Sequence, residues 1–400
     1  MTLQDGARLR NAGPQDLAAI KDLLVERGED ADAVDFELVV GDPDAGWASV
    51  AVVECDGRVV ATATLLNETL RVGSVEIPVG QVEMVACDEA YEHRGYVRAL
   101  MGWCHERSSS LGHVAQVMIG ITYFYRKFGY TYTIPMHPYA PLDRAAVTEA
   151  VFGSTITVHE AVRRHIPDLQ ILQDAVQVHA DVAMPHTPSC WEWLLDRDGT
   201  TTYVAARGPE IVGTARWTDS EDGSMLVSEV ASVDATATAA LLEAAMQQGA
   251  EEVFVHLRPE VPGLQALLGE PARADWYYIR IAQPSALLGA LRPELERRLI
   301  GSAFRDADQL VELSFWESQL AFPIANGRIG PITVGGPRQV VVSEGGSGLP
   351  PDAIPHLVFG CGAVGLEARF ADAYLGEQRA LMEALFPPLR ADLLSFYLPG

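Results

Sequence analysis

The sequence predicts an α/β fold in two consecutive units, followed by a smaller α+β unit. Three observations lead there. At 400 residues the chain is too long for one ordinary core, so two or three domains are expected. Between Val82 and Leu100 an apolar strand, a polar turn and a helical repeat follow one another. A similar run of hairpin, strand and helix returns between Tyr203 and Leu257, which reads as an internal repeat. The expected division is 1–150, 151–284 and 285–400.

In order, residues 7–12 form a short strand, and Gly13-Pro14-Gln15-Asp16 is a turn with proline near a helix start. Leu17, Ile20, Leu23 and Leu24 then mark an amphipathic helix. From Glu26 to Asp44 eight carboxylates accompany one arginine, and this run is expected as an acidic loop. Val50–Glu54 and Val59–Leu66 read as a hairpin around Asp56-Gly57, and Leu70–Val79 as a further strand.

After Val82 the strand runs to Ala86, Gly95 breaks a polar turn, and Val97, Leu100, Met101 and Cys104 recur at helical spacing. Val114–Gly120 is the next strand, followed by the aromatic block Tyr123-Phe124-Tyr125-Arg126-Lys127-Phe128-Gly129-Tyr130. In the repeat, Tyr203–Ala206 and Ile211–Trp217 form the hairpin, Met225–Ser232 the next strand, and Glu252–Leu257 the strand after the helix. That helix opens at Asp234 with neither a glycine turn nor an arginine. Past Gln283-Pro284, the expected strands are Leu310–Phe315, Gln319–Ile324, Gly327–Val334 and Arg338–Val342. Ala353–Phe359 and Gln378–Leu385 are expected helices.

A glycine turn opening a helix lets backbone N–H groups close on an anion, and the helix adds the positive end of its dipole. The bound anion would be a phosphate. His93-Arg94-Gly95-Tyr96-Val97-Arg98-Ala99-Leu100, followed by Phe124-Tyr125-Arg126-Lys127-Phe128-Gly129-Tyr130, resembles the GNAT superfamily of N-acetyltransferases. Within it, the sequence looks like the long three-module branch of the enhanced intracellular survival type.

The resemblance implies tandem GNAT folds, the second degenerate, followed by a sterol-carrier-like module. It implies acetyl-CoA as co-substrate, held by Met84, Val85, Ala86, Glu92, His93, Arg94, Gly95, Tyr96, Val97, Arg98, Gly120 and Ile121. His93, Tyr96 and Val97 enter mainly as backbone donors. Glu92 stands where the superfamily favours arginine or glutamine, and Arg94 and Arg98 are expected to restore the positive charge. Tyr125 inherits the proton-donor role, with Tyr123 and Tyr130 read as core. By resemblance the general base is the chain's terminal carboxylate, here on Gly400, beyond the aromatic pair Phe396-Tyr397. A homo-oligomer, as large as a hexamer, is implied in the same way.

The formal net charge of −25 argues against nucleic acid, whose recognition needs a basic face, and suits a cationic acceptor. The five cysteines are widely spaced without a CxxC pair, so neither a metal nor a disulfide is expected. No run of about 20 apolar residues occurs, so no membrane span is expected and the expected location is the cytoplasm. The expected function is N-acetylation of a primary amine by direct attack, the amine being aminoglycoside-like, a polyamine or a protein lysine. A non-catalytic acyl-CoA-binding protein and a lipid carrier working through residues 285–400 are the alternatives.

Overall fold

The computed structural model describes residues 2–3, 5–28, 30–197, 199–219, 223–337 and 346–393. The first third comprises β1 (Arg8–Asn11), α1 (Leu17–Arg27), α2 (Asp30–Gly41), β2 (Val50–Cys55), β3 (Arg58–Val72) and β4 (Val75–Cys87). It continues with α3 (Tyr96–Ser110), β5 (Ala115–Met118), β6 (Thr131–Pro135) and β7 (Tyr139–Pro141). Next come α4 (Arg144–Val151), β8 (Thr157–Glu160), α5 (Ile166–Gln177), β9 (Val182–Ala183), α6 (Pro188–Asp196), β10 (Thr200–Arg207) and β11 (Glu210–Asp219). They are followed by β12 (Met225–Ser232), α7 (Ala235–Met246), β13 (Val253–His256) and β14 (Trp276–Arg280). The last part holds α8 (Pro284–Ala290), α9 (Arg292–Ile300), β15 (Asp308–Ser314), β16 (Gln319–Ala325), β17 (Arg328–Ile329) and β18 (Thr333–Gly335). It closes with α10 (Ala353–Phe359), α11 (Gly362–Arg369), α12 (Arg379–Leu385) and β19 (Ala391–Asp392).

The first sheet runs β1-β2-β3-β4-β5-β14-β6, with β9 on β3 and β19 on β9. Strand β2 is apolar at every step because both of its faces are covered. Val50 and Val52 pack under α1 and α2 with Ile20, Leu23, Leu24 and Phe36, whereas Ala51 and Val53 pack under α3 with Leu100, Met101 and Cys104. The second sheet, β7-β13-β12-β11-β10-β8, repeats the central order of the first: a hairpin, an antiparallel strand, a helix and a parallel strand. Strands β15–β18 form a third, antiparallel sheet.

Hydrogen bonding crosses the lines drawn along the sequence. Strand β14 lies antiparallel between β5 and β6 in the first sheet, and β7 pairs with β13 in the second. The two α/β units thus exchange a strand each, and each inserted strand covers an edge that would otherwise face solvent.

Three expectations change. The acidic run from Glu26 to Asp44 is largely the helix α2, because Ala33, Phe36 and Val39 recur every three residues and are buried while Asp30 and Asp32 sit in its first turn. Leu70–Val79 is not one strand. Gly73, at φ +56°, turns the chain between Val72 and Val75, so β3 and β4 form a long hairpin. Tyr123 is not core: it is 65% exposed at φ +63°, while Tyr130 is buried and donates from its hydroxyl to Gln116 Oε1 at 2.9 Å. The strand expected at Arg338–Val342 lies outside the described residues. No helix among the described residues is long and apolar enough to cross a membrane.

Candidate active site

Strands β4 and β5 are parallel and pair only from Val79–Ala115 to Gln81–Val117. Beyond that point they separate. On its other side β4 bulges, with Met84 and Val85 together opposing one residue of β3, and Met84 takes φ +50°. The bulge ends regular pairing next to the gap between the strands.

Helix α3 opens in that gap. Gly95 precedes it at φ +84°, a conformation that glycine adopts without penalty, and a Cβ there would meet nothing within 4 Å. Glycine has no side chain to cap the helix, so the first N–H groups of α3 are left to bind something else. On the opposite wall Tyr125 lies in a short turn of helix, Phe124–Phe128. Its ring rests against Gly120, where any Cβ would come within 2.5 Å of the ring. Gly120 therefore serves to admit Tyr125.

Two cavities meet here. The larger, about 520 Å³, is lined by Val85, Ala86, Glu92, His93, Gly95, Tyr96, Val97, Arg98, Ile121 and Tyr125, and also by Arg27, Cys87, Tyr91, Phe124, Lys127 and Phe128. The smaller, about 290 Å³, is lined by Asp32, Val82, Glu83, Met84, Val85, Met118, Ile119, Gly120 and Tyr125. Val85 and Tyr125 belong to both. Of the residues assigned from sequence, Arg94 alone among the described ones lines neither: its guanidinium lies 4.7 Å above the Tyr91 ring and donates to the Ala90 carbonyl. Tyr96 contributes through its backbone, since its buried ring sends its hydroxyl to Asp5. Gly400 lies outside the described residues.

The cavities differ in charge. Lys127 Nζ sits 3.5 Å from the Phe124 ring centroid and Arg98 5.6 Å from that of Phe128, and among the described residues neither has a carboxylate partner. In the smaller cavity Asp32 and Glu83 face inward. Burial pushes the Glu83 carboxyl up to about 8, opposed by a 2.5 Å hydrogen bond from Gln81 Nε2 and reinforced by Asp32. Burial also raises the Tyr125 phenol well above its ordinary value, with Glu83 adding to the effect. Tyr125 consequently stays protonated at neutral pH.

Glu83, Arg27 and Lys127 are site residues that sequence reasoning missed, whereas Asp32 belongs to the acidic run Glu26–Asp44 that the sequence offers to a cationic amine. One signal for Glu83 was present, a lone carboxylate inside the apolar strand Val79–Ala86.

The second sheet preserves the frame and loses the site. Strand β12 has the same bulge, with Glu229 at φ +53°, but burial there is outweighed by Arg216 and His186, which hold the Glu229 carboxylate well below its usual range. Helix α7 is capped by Asp234, whose Oδ1 accepts from the Ala237 N–H at 2.9 Å. A carboxylate of the chain itself thus occupies the place that α3 leaves open.

Residues 34–133, which include β4, the turn and Tyr125, match the family model described as an acetyltransferase (GNAT) domain. This part of the chain is similar to a GNAT acetyltransferase domain. A comparison with curated proteins gives no match. Among solved structures, a GCN5-related N-acetyltransferase from Kribbella flavida is similar at TM-score 0.68 and 17% identity, covering 97% of this chain and 99% of that one. One from Anabaena variabilis is similar at TM-score 0.70 and 14% identity, with the same coverage. Eis1 from Mycobacterium abscessus is similar at TM-score 0.60 and 15% identity, over 97% and 99% of the two chains. At these identities the likeness is one of fold.

Proposed function

We propose that the protein is an acetyl-CoA-dependent N-acetyltransferase acting on a cationic primary amine in a ternary complex. The observation that supports this reading best is the pair of cavities joined at Val85 and Tyr125, one edged by open helix N–H groups and cations, the other by carboxylates. The larger cavity fits a diphosphate-bearing coenzyme: Gly95, Tyr96, Val97 and Arg98 would hold its phosphates, and Val85 and Ala86, which lie on β4 past its last pair with β5, its arm. When bound there, acetyl-CoA supplies the thioester carbonyl that the amine attacks.

The remaining work falls to side chains. Asp32 draws the ammonium toward the smaller cavity, where Glu83 lies beside it. Glu83, with its pKa near 8, takes the proton at a pH where a carboxylate of ordinary pKa is too weak a base. Tyr125 is protonated at every working pH and donates a hydrogen bond toward the leaving sulfur. The resemblance gives the basic role to Gly400 instead. Glu83 is the buried carboxylate that lines the smaller cavity together with Tyr125, and a C-terminal tag separates the two assignments by abolishing turnover only if Gly400 is the base.

Aminoglycoside-like amines, polyamines and lysines all fit a carboxylate-lined cavity. The test is thiol release from acetyl-CoA with a diamine, a polyamine, an aminoglycoside and a lysine peptide, together with the gain of one acetyl group by the amine. Release with at least one amine is expected. Tight acetyl-CoA binding without release for any amine would favour the acyl-CoA-binding alternative. Residues 285–400 we read as a scaffold, since His356 Nε2 of α10 lies 3.2 Å from Thr131 Oγ1 of β6 and ties this unit to the first sheet.

A further inference from the structure

Glu92 is the feature of the phosphate turn that its proposed task leaves unexplained. It lines the larger cavity three residues before Gly95, at the mouth of α3, where a negative side chain repels a diphosphate. The structure supplies its partner from elsewhere in the fold. Arg27, the last residue of α1, lines the same cavity and donates from Nη2 to Glu92 Oε1 at 2.6 Å, with Nη1 3.9 Å from Glu89. Arg27 is also the one basic residue in the acidic run from Glu26 to Asp44.

The pair is not accounted for by stability. Its side chains are 32% and 38% exposed, and ion pairs this open to water add little to folding. Position is what distinguishes it. Arg98 and Lys127 reach the cavity without a carboxylate partner among the described residues, so the cavity's positive field comes from them. An uncovered Glu92 would subtract from that field at its most sensitive point. With Arg27 in place the Glu92 charge is cancelled.

We propose that Arg27 is a positioning residue of the coenzyme site, which cancels the Glu92 carboxylate and so lets an acidic turn accept a diphosphate. The proposal rests on the coenzyme reading above. It also makes the end of α1, the helix before the acceptor-side α2, part of the coenzyme site.

The test is calorimetric titration of the full chain with coenzyme A in four variants. Arg27→Gln uncovers Glu92 and is expected to weaken binding about tenfold, whereas Glu92→Gln frees a cation and should tighten it about threefold. The double variant Arg27→Gln/Glu92→Gln should return to within about threefold of the natural chain, as should Arg27→Lys, which keeps the charge. The Arg27→Gln defect should shrink as salt rises from about 0.05 to 0.5 M. A double variant as weak as Arg27→Gln alone would overturn the proposal, since loss of the guanidinium rather than exposure of the carboxylate would then set the affinity. Failure of the natural chain to bind coenzyme A would overturn the coenzyme reading itself, and this inference with it.

Discussion

Glu83 and Tyr125 have opposite requirements that one environment meets. Burial raises both, which makes the carboxylate a stronger base and keeps the phenol a donor. For Glu83 the raised value also has a stability cost. Its carboxyl holds a proton more tightly in the folded chain, with pKa about 8, than in the unfolded one, near about 4.3, so stability is lost as pH rises through that window. Glu83→Gln should therefore raise the melting temperature at pH 8.5 but not at pH 4. The same variant should lower kcat by about 100-fold and remove the rise of kcat/KM toward pH 8. An unchanged pH profile would move the base elsewhere. Tyr125→Phe keeps the ring and deletes the proton, so kcat should fall by about 100-fold with coenzyme affinity intact.

Among the elements, the gap between β4 and β5 depends on two glycines for different reasons. Gly95 is needed for its backbone angle, whereas Gly120 is needed for the room it leaves to the Tyr125 ring. Gly120→Ala puts a methyl group within 2.5 Å of that ring, and a phenol held between Phe124, Phe128, Tyr130 and Tyr278 has little space to retreat. The variant should fold, bind coenzyme A and lose at least about tenfold in kcat, as expected when a catalytic group is displaced by a fraction of an ångström. Steady-state kinetics beside circular dichroism checks it, and normal turnover would show that the Tyr125 ring is free to shift.

At the scale of the whole molecule, the two α/β units are joined through buried charge as well as exchanged strands. Asp35 of α2 meets Arg197, just beyond α6, at 2.9 Å, with both side chains 1% exposed. Burial outweighs the guanidinium and pushes Asp35 up to about 6. Such a pair contributes little net energy, yet breaking it is costly. Asp35→Leu should destabilise by about 3–5 kcal/mol in denaturant titration, because Arg197 loses its buried carboxylate. Adding Arg197→Met should recover most of the loss. Equal destabilisation by the single and double variants would mean that Arg197 has a second role in holding the units together.

The local grammar of the chain was readable without a structure. Val82–Ala86, Gly95 and the spacing of Leu100, Met101 and Cys104 predict strand, turn and helix, and those elements form there. The same holds for the second hairpin and for Met225–Ser232, because apolar period, turn glycines and capping residues act over a few positions. Tertiary structure decided what those rules do not reach. Asp30, Asp32 and Asp35 read alike as members of an acidic loop until packing places Phe36 and Val39 inward and turns Asp32 to the cavity and Asp35 to Arg197. Trp276–Arg280 falls within the expected second unit, 151–284, yet as β14 it fills the edge of β5 in the first. Glu92 reads as a fault in a phosphate turn until Arg27, 65 residues away in sequence, comes to lie beside it. Short-range sequence fixes backbone conformation. The sign and strength of a site's field depend on which distant side chains the fold brings together.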